Sequence, residues 1–280
     1  MTDKEKTITI SQIRGGKQAT LDDLVVIEEP LEIRLVAGPA DNRKGRGLSI
    51  TMRTPGHDFE LAAGFLVSEG IVQSRDQIHS TEYCGSVAKG ESVSNIVRVE
   101  LSPETSFKFQ KLQRHFYTTS SCGVCGKASL EAIQAQNFEA IKSSLTLKRE
   151  TVFCLPDLLR DRQEVFSRTG GIHAAGLTDA EGNLISVRED VGRHNALDKL
   201  IGEQFFENRL PLNGSVLVVS GRASFELLQK TLSAGIPIFV AVGAPSSLAV
   251  ELAEQFNITL IGFANQDKFN IYTHPHRITD

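Results

Sequence analysis

A chain of 280 residues is long enough for one large domain or two smaller ones, each with a buried core. Its 40% hydrophobic and 23% charged residues are ordinary for a globular protein in water, and no apolar run approaches the ~18 residues of a membrane span. A net charge of −4 argues against a nucleic-acid coat, while leaving room for a local basic groove.

In chain order, Thr7–Ile13 and Leu31–Val36 are expected as short strands, followed by a polar turn over Ala40–Gly47 and a strand at Leu48–Thr54. Asp58–Val72 carries Phe59, Leu61, Ala62, Phe65 and Leu66 at helical spacing, with Gly70 as C-cap. Ser94–Leu101 alternates like a half-buried strand. Residues 107–121 have neither period and are expected as a loop, leading into a helix over Ala128–Ala140. Pro156–Ser167 is the next expected helix. Gly170–Thr178 and Leu184–Glu189 are strands around the turn Asp179–Asn183, and Asn195–Phe206 is a helix. The strands Ser215–Ser220, Pro237–Val242 and Thr259–Phe263 then alternate with helices over Ser224–Ala234 and Ser246–Phe256. Such alternation with short connections means parallel β-strands with crossover helices, an α/β layer structure. The chain is divided into an N-terminal α+β subdomain (1–117), a cysteine loop with connecting helices (118–160) and an α/β domain (161–280).

The polar stretch Met1–Ile10 has no signal-peptide apolar core, so the expected compartment is the cytoplasm, where structural disulfides are rare. Cys84, Cys122, Cys125 and Cys154 are therefore expected as thiols. Cys122 and Cys125 form a Cys-x-x-Cys pair inside "TTSSCGVCGKASL". Such a pair is half of many zinc sites, but no second pair follows and the histidines keep no finger spacing. A thioredoxin-type disulfide needs a buried strand just before the pair, and here the preceding residues are polar. A sulfur carrier fits the local physics best. Ser120 and Ser121 can cap a helix starting at the pair, Lys127 adds positive charge, and Gly123 and Gly126 leave the sulfur atoms uncrowded. Each of these favours a reactive thiolate.

Three further groups carry chemistry. In "TGGIHAAG", His173 stands as in the zinc deaminases, but Ala175 occupies the place of their glutamate and no Pro-Cys-x-x-Cys follows, so their chemistry is absent. The alternative is a core histidine satisfied by hydrogen bonds. "REDVGRHN" lies at a strand–helix junction, where α/β proteins bind ligands. There Asn195 or His194 can cap the helix and Arg193 can meet phosphate. "SGRASF" and "GAPSSL" both follow buried strands and open helices. Gly221 and Gly243 let backbone N–H groups face an anion, with Arg222 beside the first. Neither matches a nucleoside-triphosphate or dinucleotide motif.

Together "SSCGVCGKASL", "TGGIHAAGL", "REDVGRHNALDKLIG", "SGRASFELLQK", "AGIPIFVAVGAPSSLAVELA" and "GFANQDKFNIYTHPHRI" resemble the FdhD/NarQ family, over nearly the whole chain from about residue 30. The resemblance implies a sulfurtransferase accessory factor for formate dehydrogenase. Its fold would be α/β: a C-terminal cytidine-deaminase-like three-layer domain lacking the zinc site, with a smaller mixed α+β N-terminal subdomain. Cys122 would carry a persulfide drawn from a cysteine desulfurase, with Cys125 in support. The sulfur would pass to the bis-molybdopterin guanine dinucleotide cofactor of molybdenum or tungsten, bound as substrate, with GDP as a mimic of its nucleotide end. The family is dimeric, and the segment Phe263, Ala264, Asn265, Gln266, Asp267 and Lys268 would contact that nucleotide. Where family members often carry arginines, this chain has Asn265 and Gln266 with a single Lys268. Two readings from other classes remain, a dithiol redox protein and a non-catalytic molybdenum-cofactor chaperone. No nucleic acid, membrane or resident metal is expected.

Overall fold

The computed structural model describes residues 4–85, 95–105, 107 and 138–280. The chain opens with a hairpin, β1 (Glu5–Arg14) and β2 (Lys17–Val26). Gly15 and Gly16 close it with φ of 58° and 77°, a two-residue turn whose twist suits the flanking strands. β3 (Glu29–Ala37), β4 (Lys44–Arg53), β5 (Ile78–Tyr83) and β6 (Ile96–Leu101) form a sheet in the order β4-β3-β6-β5. The polar turn expected over Ala40–Gly47 is shorter than that, because β4 pairs with β3 from Lys44 onward. Leu31, Ile33, Leu35, Val97, Val99 and Leu101 alternate onto one buried face, in one apolar cluster with Leu61 and Leu66 of α1 (Asp58–Ser68). α1 ends in a Schellman turn: Gly70, at φ 66°, donates to the Val67 carbonyl and Ile71 to that of Leu66.

After β7 (Leu147–Lys148) come α2 (Arg149–Asp161) and α3 (Glu164–Thr169). These replace the single helix expected over Pro156–Ser167. α2 starts earlier and runs through Pro156, because Val152, Leu155 and Leu159 bury one stripe against the sheet behind it. The remainder is β8 (His173–Thr178), β9 (Leu184–Asp190), α4 (Arg193–Phe206), β10 (Val216–Val219), α5 (Phe225–Ser233), β11 (Ile238–Ala241), α6 (Ser247–Gln255), β12 (Thr259–Gly262), β13 (Asn270–Ile271) and β14 (Ile278–Thr279). The expected helix over Ala128–Ala140 lies outside the described residues except for 138–140, which are in no helix. The expected loop over 107–121 lies outside them except for 107.

The second sheet has the order β13-β12-β11-β10-β8-β9. β10, β11 and β12 are parallel and joined through α5 and α6, as expected; β8 runs antiparallel between β10 and β9, so the sheet is mixed. Val216, Val218, Ile238, Val240 and Ile261 face α2. Leu217, Val219, Phe239, Ala241 and Leu260 face the other way, in one cluster with Leu197 and Leu200 of α4, Leu228 of α5 and Leu252 of α6. Burial on both faces explains the unbroken apolar runs of these strands. The result is three layers, and the second helical layer also packs on α1. There Gly64 and Gly202 bring the two helix backbones into direct contact.

Candidate functional site

Topology gathers the sequence motifs at one end of the six-stranded sheet. β9, β10, β11 and β12 all finish there, and β8, running the other way, starts there with His173. The loops holding Arg193, Arg222, Gly243 and Phe263 are therefore neighbours, at the strand ends where open α/β sheets bind ligands.

Main-chain hydrogen bonds stitch three of these loops into one lip. Gly243 N–H donates to the Gly221 carbonyl at 3.0 Å, and Phe263 N–H to that of Gly243 at 3.1 Å. Ala223 and Ser246 complete the seam through Ala244 and Ala223 carbonyls. A side chain at position 243 would begin 3.0 Å from the Gly221 oxygen, so the close approach needs glycine. The Gly243 N–H thus serves the lip and not a ligand, contrary to its expected role; the Gly221 and Arg222 N–H groups take no part in the stitching. Arg222 is exposed on the rim. Phe263 is 41% exposed and holds φ 54°, a left-handed conformation costing an L-residue about 1–2 kcal/mol. His57, Asn208, Asn257 and His274 share this left-handed backbone, so it is the exposure of an aromatic ring beside the seam that makes Phe263 a candidate contact.

Asn265 shapes the turn that follows. Its Oδ1 accepts from Asp267 N–H at 2.9 Å and Lys268 N–H at 3.0 Å, and its own N–H donates to the Lys268 carbonyl. Gln266 donates to Asp157 on α2. The departures at 265 and 266 therefore hold the turn, leaving Asp267 and Lys268 exposed and Ala264 buried beneath.

The "REDVGRHN" segment divides in two. Asp190 and Asn195 turn inward. Asp190 accepts from Thr54 N–H at 3.1 Å and Gly192 N–H at 2.8 Å and pairs with the buried Lys199 at 2.6 Å. Asn195 donates to Asp190 and to the Met52 carbonyl. Burial pushes the Lys199 ammonium below its usual range, while Asp190 opposes that shift. Below it, Lys230 pairs with Asp198, which also accepts from Ser68. This polar bolt joins α4 to the end of β4. Sequence reasoning missed it, although Asp198-Lys199 inside the apolar run of α4 was its signal. The helix cap is Gly192, and neither His194 nor Asn195 caps it.

Arg193, His194 and His173 remain at the mouth. A Cβ on Gly221 would lie 3.6 Å from His173 Nδ1, which places that imidazole against the first loop. Burial, then the nearby Arg193 charge, lowers its pKa, with Asp190 opposing. Burial, Arg193 and Lys230 push His194 down to about 4, against Glu226. Both imidazoles are thus neutral at pH 7. Ser224, the N-cap of α5, makes no cap bond; its hydroxyl lies 3.5 Å from His194 Nε2. Ala175 is buried on β8 beside Val219. Cys122, Cys125 and Lys127 lie outside the described residues; Cys84 is half-buried after β5 and Cys154 exposed on α2. Among the described residues no three His, Cys, Asp or Glu side chains gather as a metal set, and no helix is long and apolar enough to cross a membrane.

The family model described as FdhD/NarQ family matches residues 26–279. The chain is 49% identical over 281 residues to the sulfur carrier protein FdhD of Streptomyces avermitilis, covering 99% of this chain and 96% of the relative. It is 41% identical to the protein of the same name from Sulfurisphaera tokodaii, covering 98% of each. In fold it matches the crystal structure of a formate dehydrogenase accessory protein from Desulfotalea psychrophila, with TM-score 0.75 over 99% of this chain and all of that one, at 24% identity.

Proposed function

The chain belongs to the FdhD/NarQ family, and from that membership we propose that it carries sulfur for a formate dehydrogenase. Cys122 is the carrier. Its thiolate attacks the persulfide of a cysteine desulfurase: the donor S–S bond breaks, a new one forms at Cys122 Sγ, and the donor leaves as thiolate. Delivery breaks the Cys122 S–S bond: the acceptor atom of bis-molybdopterin guanine dinucleotide, bound as substrate, supplies the electron pair for the new bond to the sulfane sulfur and is thereby oxidised by two electrons, and Cys122 leaves as thiolate. Cys125 supports the exchange. The nucleotide end of the substrate lies on the lip, against Arg222 and the segment Phe263–Lys268.

Near-whole-length similarity to curated sulfur carriers carries this reading. The mouth supports its second half: Arg222, Phe263, Asp267 and Lys268 stand exposed around one seam, offering cations, an aromatic face and an acceptor to a nucleotide. The three-layer domain fits a cytidine-deaminase-like scaffold reused for binding, since Ala175 stands where a deaminase needs its glutamate. A cytoplasmic homodimer completes the proposal. Incubation with a cysteine desulfurase and cysteine, followed by peptide mass mapping, tests it. One added sulfur atom on Cys122 is expected, and sulfur on Cys84 or Cys154 alone overturns the assignment.

A further inference from the structure

We infer that the outer edge of β1 is a pairing surface for a second copy of this chain. Two hairpins join β1 to β1, antiparallel about a two-fold axis at Thr9, into one four-stranded sheet. The pairing deepens the homodimer proposed above and rests on that reading.

The β1–β2 hairpin is nearly bare. Lys6 to Thr9 and every residue from Ser11 to Thr20 are exposed, Ile8 at 37% and Ile13 at 75%. A lone two-stranded hairpin is marginal in water. Its base is held where Glu5 pairs with Arg168 and Ile27 N–H donates to the Lys4 carbonyl. Among the described residues β1 pairs with β2 alone, so its outer edge meets no strand.

That edge is unguarded. Thr7–Ile13 reads TITISQI, with no charge, proline or glycine and five β-branched residues, the composition of a strand that recruits another. Other edges in the fold are guarded. β2 carries Asp22 and Asp23 at its centre, β5 carries His79 and Glu82, and β9 ends in Arg188, Glu189 and Asp190. On β4 the Met52 carbonyl is taken by Asn195.

The hairpin also sets the register. Its two-residue turn makes Arg14 and Lys17 a hydrogen-bonded pair. Ile8, Ile10 and Gln12 therefore aim their main-chain groups at β2, and Thr7, Thr9, Ser11 and Ile13 aim theirs outward. A two-fold axis at Thr9 sets Thr9 against the partner's Thr9 and Thr7 against the partner's Ser11, matching outward groups. Ile8 then lies beside the partner's Ile10, on the face where Ile10 already meets Leu21, so exposed isoleucines cover one another. Lys6 meets the partner's Gln12. A slip of two residues one way sets Lys6 against the partner's Arg14, and the other way against the partner's Ile10. The register at Thr9 avoids both.

Light scattering over a concentration series and disulfide mapping test the pairing, and the unaltered chain is expected to be a dimer. Thr9→Pro removes an outward N–H while leaving the β1–β2 ladder whole. It is expected to weaken dimerisation about ten- to a hundred-fold, through two lost hydrogen bonds per dimer. Thr9→Cys under mild oxidation is expected to give a covalent dimer bonded at position 9 of both chains, because directly opposed residues stand within disulfide reach. Thr7→Cys, which faces the partner's Ser11, is expected not to couple to itself. A dimer whose affinity Thr9→Pro leaves unchanged, or that couples at position 9 no better than at position 7, overturns the β1 edge and leaves the homodimer reading standing. A monomer at every concentration overturns both. Should Thr9→Pro disturb the hairpin, the disulfide mapping decides alone.

Discussion

Gly64 on α1 and Gly202 on α4 each press against the other helix's backbone. A Cβ on Gly64 would lie 2.6 Å from the Asp198 carbonyl carbon, and one on Gly202 would lie 2.6 Å from that of Glu60. Neither neighbour is a side chain that can swing away. Gly202→Ala is therefore expected to destabilise the fold by about 3 kcal/mol, the upper end for overpacking, despite alanine's better helix propensity. Urea unfolding reads this. A midpoint equal to that of the unaltered chain would mean the helices can separate freely.

Lys199 and Asp190 give a second stability test. Lys199→Met leaves the Asp190 carboxylate buried without its cation and is expected to cost about 3–5 kcal/mol. Asp190→Asn combined with Lys199→Met should recover part of that loss, because no buried charge is then left alone. Losses that merely add in the double variant would show that the two side chains do not act as a pair.

His194 predicts a pH dependence. Its pKa is about 4 in the fold against 6.5 unfolded, so between those values the unfolded chain binds more protons and stability rises with pH. The contribution is complete above pH 6.5 and is lost as pH falls toward 4. His194→Gln should show a shallower loss across that window in thermal unfolding. An unchanged slope would place the titrating group elsewhere.

The cysteines separate three kinds of protein. Cys122→Ser is expected to abolish sulfur loading from a desulfurase, whereas Cys125→Ser keeps the loading and lowers delivery. A dithiol reductase would lose activity with either change, and a chaperone would tolerate both. Formate dehydrogenase activation by each variant distinguishes them.

Base preference is the last test. GDP is expected to bind more tightly than ADP, with Asp267 accepting from the guanine N1–H and amine. An acceptor left unpaired by adenine costs about 1–3 kcal/mol, roughly ten- to a hundred-fold in affinity. Calorimetry on Asp267→Ala should erase the difference. A preference that survives would assign base reading to another residue.

Periodicity revealed the second half of the fold well, because β10, β11 and β12 are buried on both faces and their helices carry clean apolar stripes. It missed β2: Lys17–Val26 is exposed along most of its length, so polar residues on both faces erase the alternation, although Arg14-Gly-Gly-Lys17 was a usable hairpin signal. Pro156 suggested a helix start, but burial of Val152 and Leu155 overrode it. The loops at Gly221 and Gly243 were legible as candidate binding positions from glycine and serine after buried strands, and the Phe263 segment only through the family resemblance. Their seam was not, since it joins residues far apart in sequence through main-chain atoms. Nor could charge density in "REDVGRHN" show that Asp190 and Asn195 face inward while Arg193 and His194 face the mouth.

Because the lip is sewn by N–H and carbonyl groups, its outline depends little on which side chains it displays. Arg222, Phe263 and Asp267 can be exchanged with the scaffold intact, whereas Gly243 and the turn-forming Asn265 cannot. Shape thus rests on main-chain atoms, and the proposed selectivity on separate residues. A new recognition preference could be installed by changing rim side chains alone, without retuning the sheet that bears them.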